Sequence, residues 1–133
     1  HSTSNPTSIA QYAAEAALNG DQACIAPMVK AFKERGAFVT GALNRIPGVK
    51  CLQPAGAFYV FPDCREAIRR LAAAGKLKAP TDIALCDYLM EQPEAVAAVP
   101  GSAFGMEGYL RISFATSMEN LKKATDRMAR AMG

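Results

Sequence analysis

The sequence contains very little histidine and no closely spaced cysteines. Its one histidine is His1, and its four cysteines, Cys24, Cys51, Cys64 and Cys86, are too far apart to form a C-x-x-C pair. Structural zinc sites use such ligands at short spacings, so we expect no metal site. A Ser/His/Asp or Cys/His catalytic arrangement built on a lone terminal imidazole is equally unexpected. We interpret the cysteines as reduced, mostly buried thiols of a cytoplasmic protein, in which disulfides are rare.

Long apolar runs and clusters of basic residues are also missing. No run approaches the length of about 18 residues that spans a bilayer, and the N-terminus lacks the basic-then-apolar pattern of a signal peptide. The formal net charge is only +3 and the basic residues are scattered, which argues against a nucleic-acid-binding surface. We therefore expect neither a membrane nor a nucleic acid as a partner. With 133 residues, half of them hydrophobic, the chain is large enough for one compact domain.

Residues 1–46 are predicted to be mainly helical. An Ala-rich helix over 7–18 ends just before Gly20, which is a typical C-terminal stop. A longer helix over 22–46 follows, with Asp21 as its N-cap. The apolar residues of the first helix cover most of its circumference, as is typical of a helix packed against a large body. We therefore predict that residues 1–46 link to, or pack on, a larger domain.

Residues 47–133 are predicted to form a small α+β domain. The order of elements is β-β-α-α-β-β-α, which indicates a small, mainly antiparallel sheet with helices packed on one face. The predicted strands are two short runs around 54–56 and two more over 95–101 and 109–115, and the predicted helices begin at 65, 82 and 118. Thr81 or Asp82 is the expected cap of the second of these helices, and Thr116 or Ser117 that of the third.

Arg111 interrupts the apolar run 109–115. A guanidinium group offers a planar fork of N–H donors that pairs with a carboxylate through two parallel hydrogen bonds, and it stays charged at any working pH. In a strand that follows the turn PGSAFG, it could direct this fork into a cleft. The structural alternative is an arginine at a strand edge, bonded to a backbone carbonyl or a surface glutamate. The pattern alone leaves both interpretations open and favours the structural one.

The other motifs do not define a site by themselves. The turn PGSAFG at 100–105 lacks the spacing of the phosphate-binding loops G-x-x-x-x-G-K-[ST] and G-x-G-x-x-G, and a tight turn explains its glycines. In PAGAFYVF, the side chains of Phe58, Tyr59 and Phe61 could line a pocket. Aromatic residues that alternate along a strand nevertheless belong to the core more often than to a binding site.

Taken together, these segments resemble the C-terminal portion of the class I/II aminotransferases, the fold-type I pyridoxal-phosphate enzymes. The resemblance covers essentially the whole chain: STSNPTSIAQYAA at 2–14 is similar to the segment after the cofactor-lysine region, and PAGAFYVF at 54–61 to the strand pair entering the small domain. The most specific block, VPGSAFGMEGYLRISFATSMENLKKATDRM at 99–128, has the family's turn, arginine-containing strand and capped final helix in order. STSNP and GAFYVF look most like bacterial aspartate and aspartate/prephenate aminotransferases.

The resemblance implies roles for particular residues. Arg111 matches the arginine that grips the α-carboxylate of the amino-acid substrate, and Phe58 matches an aromatic residue near the substrate side chain. Ser4 and Asn5 match a loop that, in the family's homodimer, lies near the other subunit's active site. The family's Schiff-base lysine lies in a segment before the start of this chain. The resemblance therefore implies that pyridoxal 5'-phosphate is bound by a longer parent, and that these 133 residues alone contain no catalytic residue and are inactive.

Three functional hypotheses remain at this point. In the first, the chain is the C-terminal fragment of an aminotransferase that moves an amino group between an amino acid, aspartate or a similar one, and a 2-oxo acid, and it supplies a carboxylate clamp and a closing lid. In the second, it is a stand-alone regulatory module that binds an amino acid through Arg111. In the third, it is the same domain of a fold-type I lyase or synthase, since fold alone does not fix the reaction.

Overall fold

The structure is a computed structural model and describes residues 3–133. It contains two compact units, one reaching up to Ala31 and the other running from Phe32 to Gly133. The assignment of 1–46 and 47–133 as separate parts stays a prediction. No helix among residues 3–133 is long and apolar enough to cross a membrane.

The first helix, α1, spans Ser8–Asn19, close to its predicted limits. It begins there because the Thr7 side chain accepts a hydrogen bond from a backbone N–H of the first turn, one of the donors that a helix start leaves unpaired. All twelve of its residues are described and none is buried. Its large apolar side chains, Ile9, Tyr12 and Leu18, are each more than 70% exposed.

The second helix, α2, spans Ile25–Leu43, so the prediction of a helix over 22–46 was too long at both ends. At the start, the Asp21 carboxylate accepts a hydrogen bond from the N–H of Ala23 at 2.9 Å and forms a local turn instead of a cap. At the end, the Asn44 side chain bonds both the N–H and the carbonyl of Cys51, each at 2.8 Å. These two bonds tie Asn44 to Cys51, so the backbone after Leu43 does not continue the helix.

The unit from Phe32 to Gly133 contains the C-terminal half of α2, three further helices and a three-stranded sheet. In chain order these elements are β1 (Tyr59–Val60), α3 (Arg65–Ala73), α4 (Asp82–Glu91), β2 (Val99–Pro100), a 3-10 turn (Gly101–Phe104), β3 (Leu110–Ser113) and α5 (Met118–Met132). Thr81 caps α4 and Ser117 caps α5, each by accepting a hydrogen bond from a backbone N–H three residues on. Of the paired alternatives predicted for these caps, Thr81 and Ser117 are the ones used.

The sheet has the order β1-β3-β2, and both pairings are antiparallel. The first of the two strands predicted around 54–56 does not form: among residues 3–53, only Lys50 makes a bridge, to Asp63. The reason is that the backbone of Cys51 is already bonded to the side chain of Asn44, seven positions earlier, and cannot join a ladder. The α+β class and the antiparallel sheet are confirmed.

The core of this unit lies between the helices and one side of β3. Along β3 and the residue after it, Leu110, Ile112 and Phe114 alternate toward the core, as the period of two in a strand requires. They join buried residues of α2, α3, α4 and α5: Val39, Leu43, Ala67, Ile68, Leu71, Leu85, Leu89, Leu121, Met128 and Met132.

Three of the four cysteines belong to this core. All four lie within the described residues and are free thiols, and Cys51, Cys64 and Cys86 are buried whereas Cys24 is exposed. Burial raises the pKa of Cys64 to about 12 and that of Cys86 to about 11, and it also raises the pKa of Cys51. These three groups are therefore protonated at neutral pH, and the thiol form is a poor nucleophile.

We predict that iodoacetamide at mildly alkaline pH modifies Cys24 alone in the folded 133-residue protein, because only this one of its four thiols is accessible. Intact mass spectrometry should show one adduct on the native protein and four after denaturation. A Cys24→Ser variant should show none before denaturation. Rapid labelling of Cys64 in the native protein would contradict the described core.

Candidate functional site

Arg111 lies in the central strand, on the side opposite the core. Because side chains alternate along β3, the burial of Leu110 and Phe114 directs Arg111 and Ser113 to the other side. Arg111 pairs with Val99 of β2, and Ser113 pairs with Tyr59 of β1. The guanidinium group is thus carried by the most constrained strand of the sheet.

Two aromatic rings flank this guanidinium group. Its central carbon lies 4.2 Å from the centre of the Phe104 ring and 5.7 Å from that of the Tyr59 ring. Such stacking attracts the cation through the ring quadrupole and leaves its in-plane N–H donors available. The rings therefore orient the arginine without neutralising it.

The guanidinium of Arg111 makes no hydrogen bond or ion pair with any residue of the described part, 3–133. The structural alternative, a bond to a backbone carbonyl or a surface glutamate, is therefore not seen within these residues. Other arginines of the same unit are engaged: Arg65 pairs with Asp63 at 2.6 Å, and Arg130 pairs with Glu94. Arg111 keeps a free planar donor fork that suits an external carboxylate.

The turn Gly101–Phe104 places the nearer of the two rings. The N–H of Gly101 donates to the carbonyl of Tyr109 at 2.8 Å, which ties the turn to the residue before β3. A Cβ at Gly101 would lie 2.4 Å from the carbonyl oxygen of Met106, so only glycine permits this approach. The turn predicted from PGSAFG is present, and it has the added effect of setting Phe104 against Arg111.

Phe58 belongs to the same surface. Its ring packs edge-on against Tyr59 with 5.7 Å between ring centres, and 53% of the residue is exposed. Its carbonyl accepts hydrogen bonds from the N–H of Phe114 at 2.8 Å and the hydroxyl of Ser113 at 3.4 Å. The structure thus joins Phe58 to Arg111 through Tyr59.

The remaining predicted site residues lie elsewhere in the chain. Ser4 and Asn5 are exposed residues before α1, in a stretch without regular secondary structure, in the unit that reaches up to Ala31. Sequence reasoning assigned no role to Phe104, although the turn motif contains it. Its contact with Arg111 depends on how the turn packs against β3, and the glycines that predict the turn do not indicate this packing.

The lysines and the metal-binding groups of residues 3–133 show no second site of this kind. The seven lysines of the chain all lie in the described part and all are exposed; Lys78 pairs with Glu91 at 2.8 Å and Lys123 with Glu119 at 2.6 Å. Among residues 3–133, no group of three or more His, Cys, Asp or Glu side chains could hold a metal ion.

The backbone beside Phe58 is strained. Ala57 has a φ of 63° and is the only non-glycine residue with positive φ among residues 3–133. An alanine in this left-handed region costs about 1–2 kcal/mol, whereas glycine adopts it freely at an entropy cost of about 0.5–1 kcal/mol.

We therefore expect Ala57→Gly to raise the free energy of unfolding by about 0.5 kcal/mol. Ala55→Gly is the matched control in the same exposed loop, and it should lower the free energy of unfolding by about 0.5–1 kcal/mol because Ala55 has no strain to relieve. Urea denaturation of the three proteins measures both effects. Equal destabilisation by the two variants would show that Ala57 is unstrained.

Comparison with known proteins gives a consistent result. A family profile described as "Aminotransferase class I and II" matches residues 1–128. The chain is 62% identical over 128 residues to an aspartate/prephenate aminotransferase of Nitrosomonas europaea, covering 96% of this chain and 32% of that protein. It is 46% identical to an aspartate aminotransferase of Geobacillus stearothermophilus over 132 residues, covering 99% of the chain and 32% of that protein.

A match to a solved structure agrees with these matches in sequence. The crystal structure of an aspartate aminotransferase from Rhizobium meliloti matches 98% of this chain with a TM-score of 0.82 and 41% identity. The match covers 32% of that structure. The chain therefore spans about a third of the length of the relatives it matches.

Proposed function

Because the chain belongs to the class I and II aminotransferases, we propose that it is the C-terminal portion of an enzyme that moves an amino group from an amino acid to a 2-oxo acid. Aspartate or a similar amino acid is the proposed substrate, since the relatives are named aspartate and aspartate/prephenate aminotransferases. The observation that carries the proposal is the guanidinium of Arg111, which lies over two aromatic rings and has no hydrogen-bond or ion-pair partner among residues 3–133.

Arg111 is the proposed clamp for the α-carboxylate. Two parallel N–H···O bonds from one guanidinium fix both the position and the plane of a carboxylate. Fixing that plane also fixes the direction of the bonds at the neighbouring Cα, which is where transamination occurs, and such positioning contributes several kcal/mol to catalysis. Phe104 and Tyr59 restrain the fork, so less of its freedom is lost when the substrate binds.

Phe58 is the proposed neighbour of the substrate side chain. It is half-exposed and reaches the clamp through Tyr59, which suits a residue that contacts the ligand from one side. Ser4 and Asn5 are proposed to complete the active site of a second subunit in a homodimer. In this proposal the small domain, residues 47–133, also acts as a lid that closes over the bound substrate.

The cofactor is proposed to lie outside these residues. The family implies pyridoxal 5'-phosphate, which acts as an electron sink when it is bound through a lysine. We infer that these residues do not hold it, because all seven lysines are exposed and a Schiff-base lysine is activated in a desolvated pocket. We therefore propose that a cytoplasmic, longer protein supplies the lysine and that the 133 residues alone are inactive.

The clamp is tested in the full-length protein with L-aspartate. Arg111→Lys keeps the charge but removes the planar fork, and we expect kcat/KM to fall roughly 100-fold, with a larger loss for Arg111→Ala. Arg65→Lys is the matched control, because Arg65 also stacks on an aromatic ring, Tyr109, but is already paired with Asp63.

The Arg65→Lys variant should stay within about threefold of the wild type, since an exposed ion pair contributes little. If Arg111→Lys retains wild-type kcat/KM, Arg111 is not the clamp.

The inactivity of the isolated chain is tested separately. The 133-residue protein, its length checked by intact mass, is mixed with pyridoxal phosphate, and the absorbance is scanned for bound cofactor. We expect no bound-cofactor band and no transamination of L-aspartate. A stable band would contradict the proposal. Micromolar binding of an amino acid by the isolated chain, lost in Arg111→Ala, would favour the stand-alone regulatory module instead.

A further inference from the structure

Asp82 is a buried carboxylate next to the candidate site. It is the first residue of α4 and is only 1% exposed. One carboxylate oxygen, Oδ2, accepts a hydrogen bond from the backbone N–H of Ser102 at 2.6 Å, and the other, Oδ1, accepts one from the N–H of Ile83 at 3.1 Å. A charge that is removed from water needs such donors to offset the cost of burial.

This carboxylate is not needed to cap its own helix. The N-cap of α4 is Thr81, whose hydroxyl accepts a hydrogen bond from the N–H of Ala84 at 3.2 Å. The favourable field of the helix N-terminus stabilises the negative charge of Asp82. Because Thr81 caps the helix, the Oδ2 atom of Asp82 is available to bond a second element of the fold, at Ser102, 20 residues further along the chain.

The element that it holds is the turn Gly101–Phe104. Ser102 is the second residue of this turn, and its own carbonyl accepts a hydrogen bond from the N–H of Gly105 at 3.1 Å. Phe104 follows two residues after Ser102, and its ring lies 4.2 Å from the guanidinium carbon of Arg111. A short series of contacts thus runs from the Asp82 carboxylate through the turn to the clamp.

We propose that Asp82 is a positioning residue for the carboxylate clamp: its bond to the N–H of Ser102 fixes the turn, and the turn holds the Phe104 ring that orients Arg111. This inference rests on the proposed function, because it assigns Asp82 a role in substrate binding by Arg111. Asp82 does not touch the substrate. Its removal would release the Phe104 ring and allow the guanidinium fork to tilt, and small misplacements of a binding group have large effects on affinity.

The test compares Asp82→Ala, Asp82→Asn and Thr81→Ala in the full-length protein. Three quantities are measured: the exchange rate of the Ser102 amide proton, the dissociation constant for succinate, and kcat and KM for L-aspartate. Succinate is the probe because it offers carboxylates but has no amino group to react. Thr81→Ala is the matched control, since it weakens the same helix end without touching Ser102.

We expect Asp82→Ala to accelerate exchange at Ser102 and to raise the dissociation constant for succinate and the KM roughly tenfold, with a smaller change in kcat. Asp82→Asn keeps one acceptor oxygen for Ser102 and should give a smaller increase, about threefold. Thr81→Ala should lower thermal stability but leave the dissociation constant within about twofold of the wild type. The asparagine variant keeps the shape of the side chain, so the inference stays testable if the alanine variant does not fold.

A Phe104→Leu background shows whether the ring carries the effect. If it does, Asp82→Asn should raise the dissociation constant for succinate less in Phe104→Leu than in the wild type, because residues acting in series are not additive. Unchanged exchange at Ser102, an equal loss of affinity in Thr81→Ala, or full additivity with Phe104→Leu would overturn the inference.

Arg111→Ala separates this inference from the proposed function. If Arg111→Ala binds succinate as well as the wild type, the proposed clamp fails. If it loses binding while the two Asp82 variants bind normally, the clamp stands and the role of Asp82 is refuted.

Discussion

The antiparallel pairing of β3 with both β1 and β2 is the constraint on which the rest of this structure depends. Because β3 is the middle strand, its backbone bonds are used on both edges and its two faces are fixed. One face carries Leu110 and Phe114 into the core, and the other carries Arg111. A shift of register by one residue would bury the guanidinium and expose the leucine, so the stability of the core and the geometry of the site are set together.

The use of aromatic rings beside Arg111 has a chemical consequence. A carboxylate of the protein at this position would neutralise the guanidinium and compete with a ligand carboxylate for the same donors. Rings attract the cation by about 0.5–2 kcal/mol, which is enough to bias its orientation but leaves every N–H available. The contrast within the molecule is Arg65, which stacks on Tyr109 but gives its donors to Asp63. Of these two arginines, only Arg111 has no hydrogen-bond or ion-pair partner within residues 3–133.

Most features governed by neighbours in sequence were predictable, the start of α2 after Asp21 being an exception, and features governed by distant contacts were not. The starts of α1, α4 and α5 follow from short-range caps, and the apolar run 109–115 predicted a strand interrupted by Arg111. The missing strand before Pro54 depends on Asn44, whose side chain occupies the backbone of a residue seven positions away. The contact between Phe104 and Arg111 depends on a turn fixed by Tyr109 and by a carboxylate 20 residues earlier.

The exposed apolar side chains of α1 bear on the question of whether this helix packs on a larger domain. An isolated helix of twelve residues is marginal in water, and most helices in proteins are stabilised by packing of an apolar face. Here Ile9, Tyr12 and Leu18 are exposed, and no residue of this fully described helix is buried. A set of large apolar side chains without cover is typical of a surface that meets another body. This supports the proposal that residues 1–46 pack on a larger domain, while the residues from Phe32 onward have a core of their own.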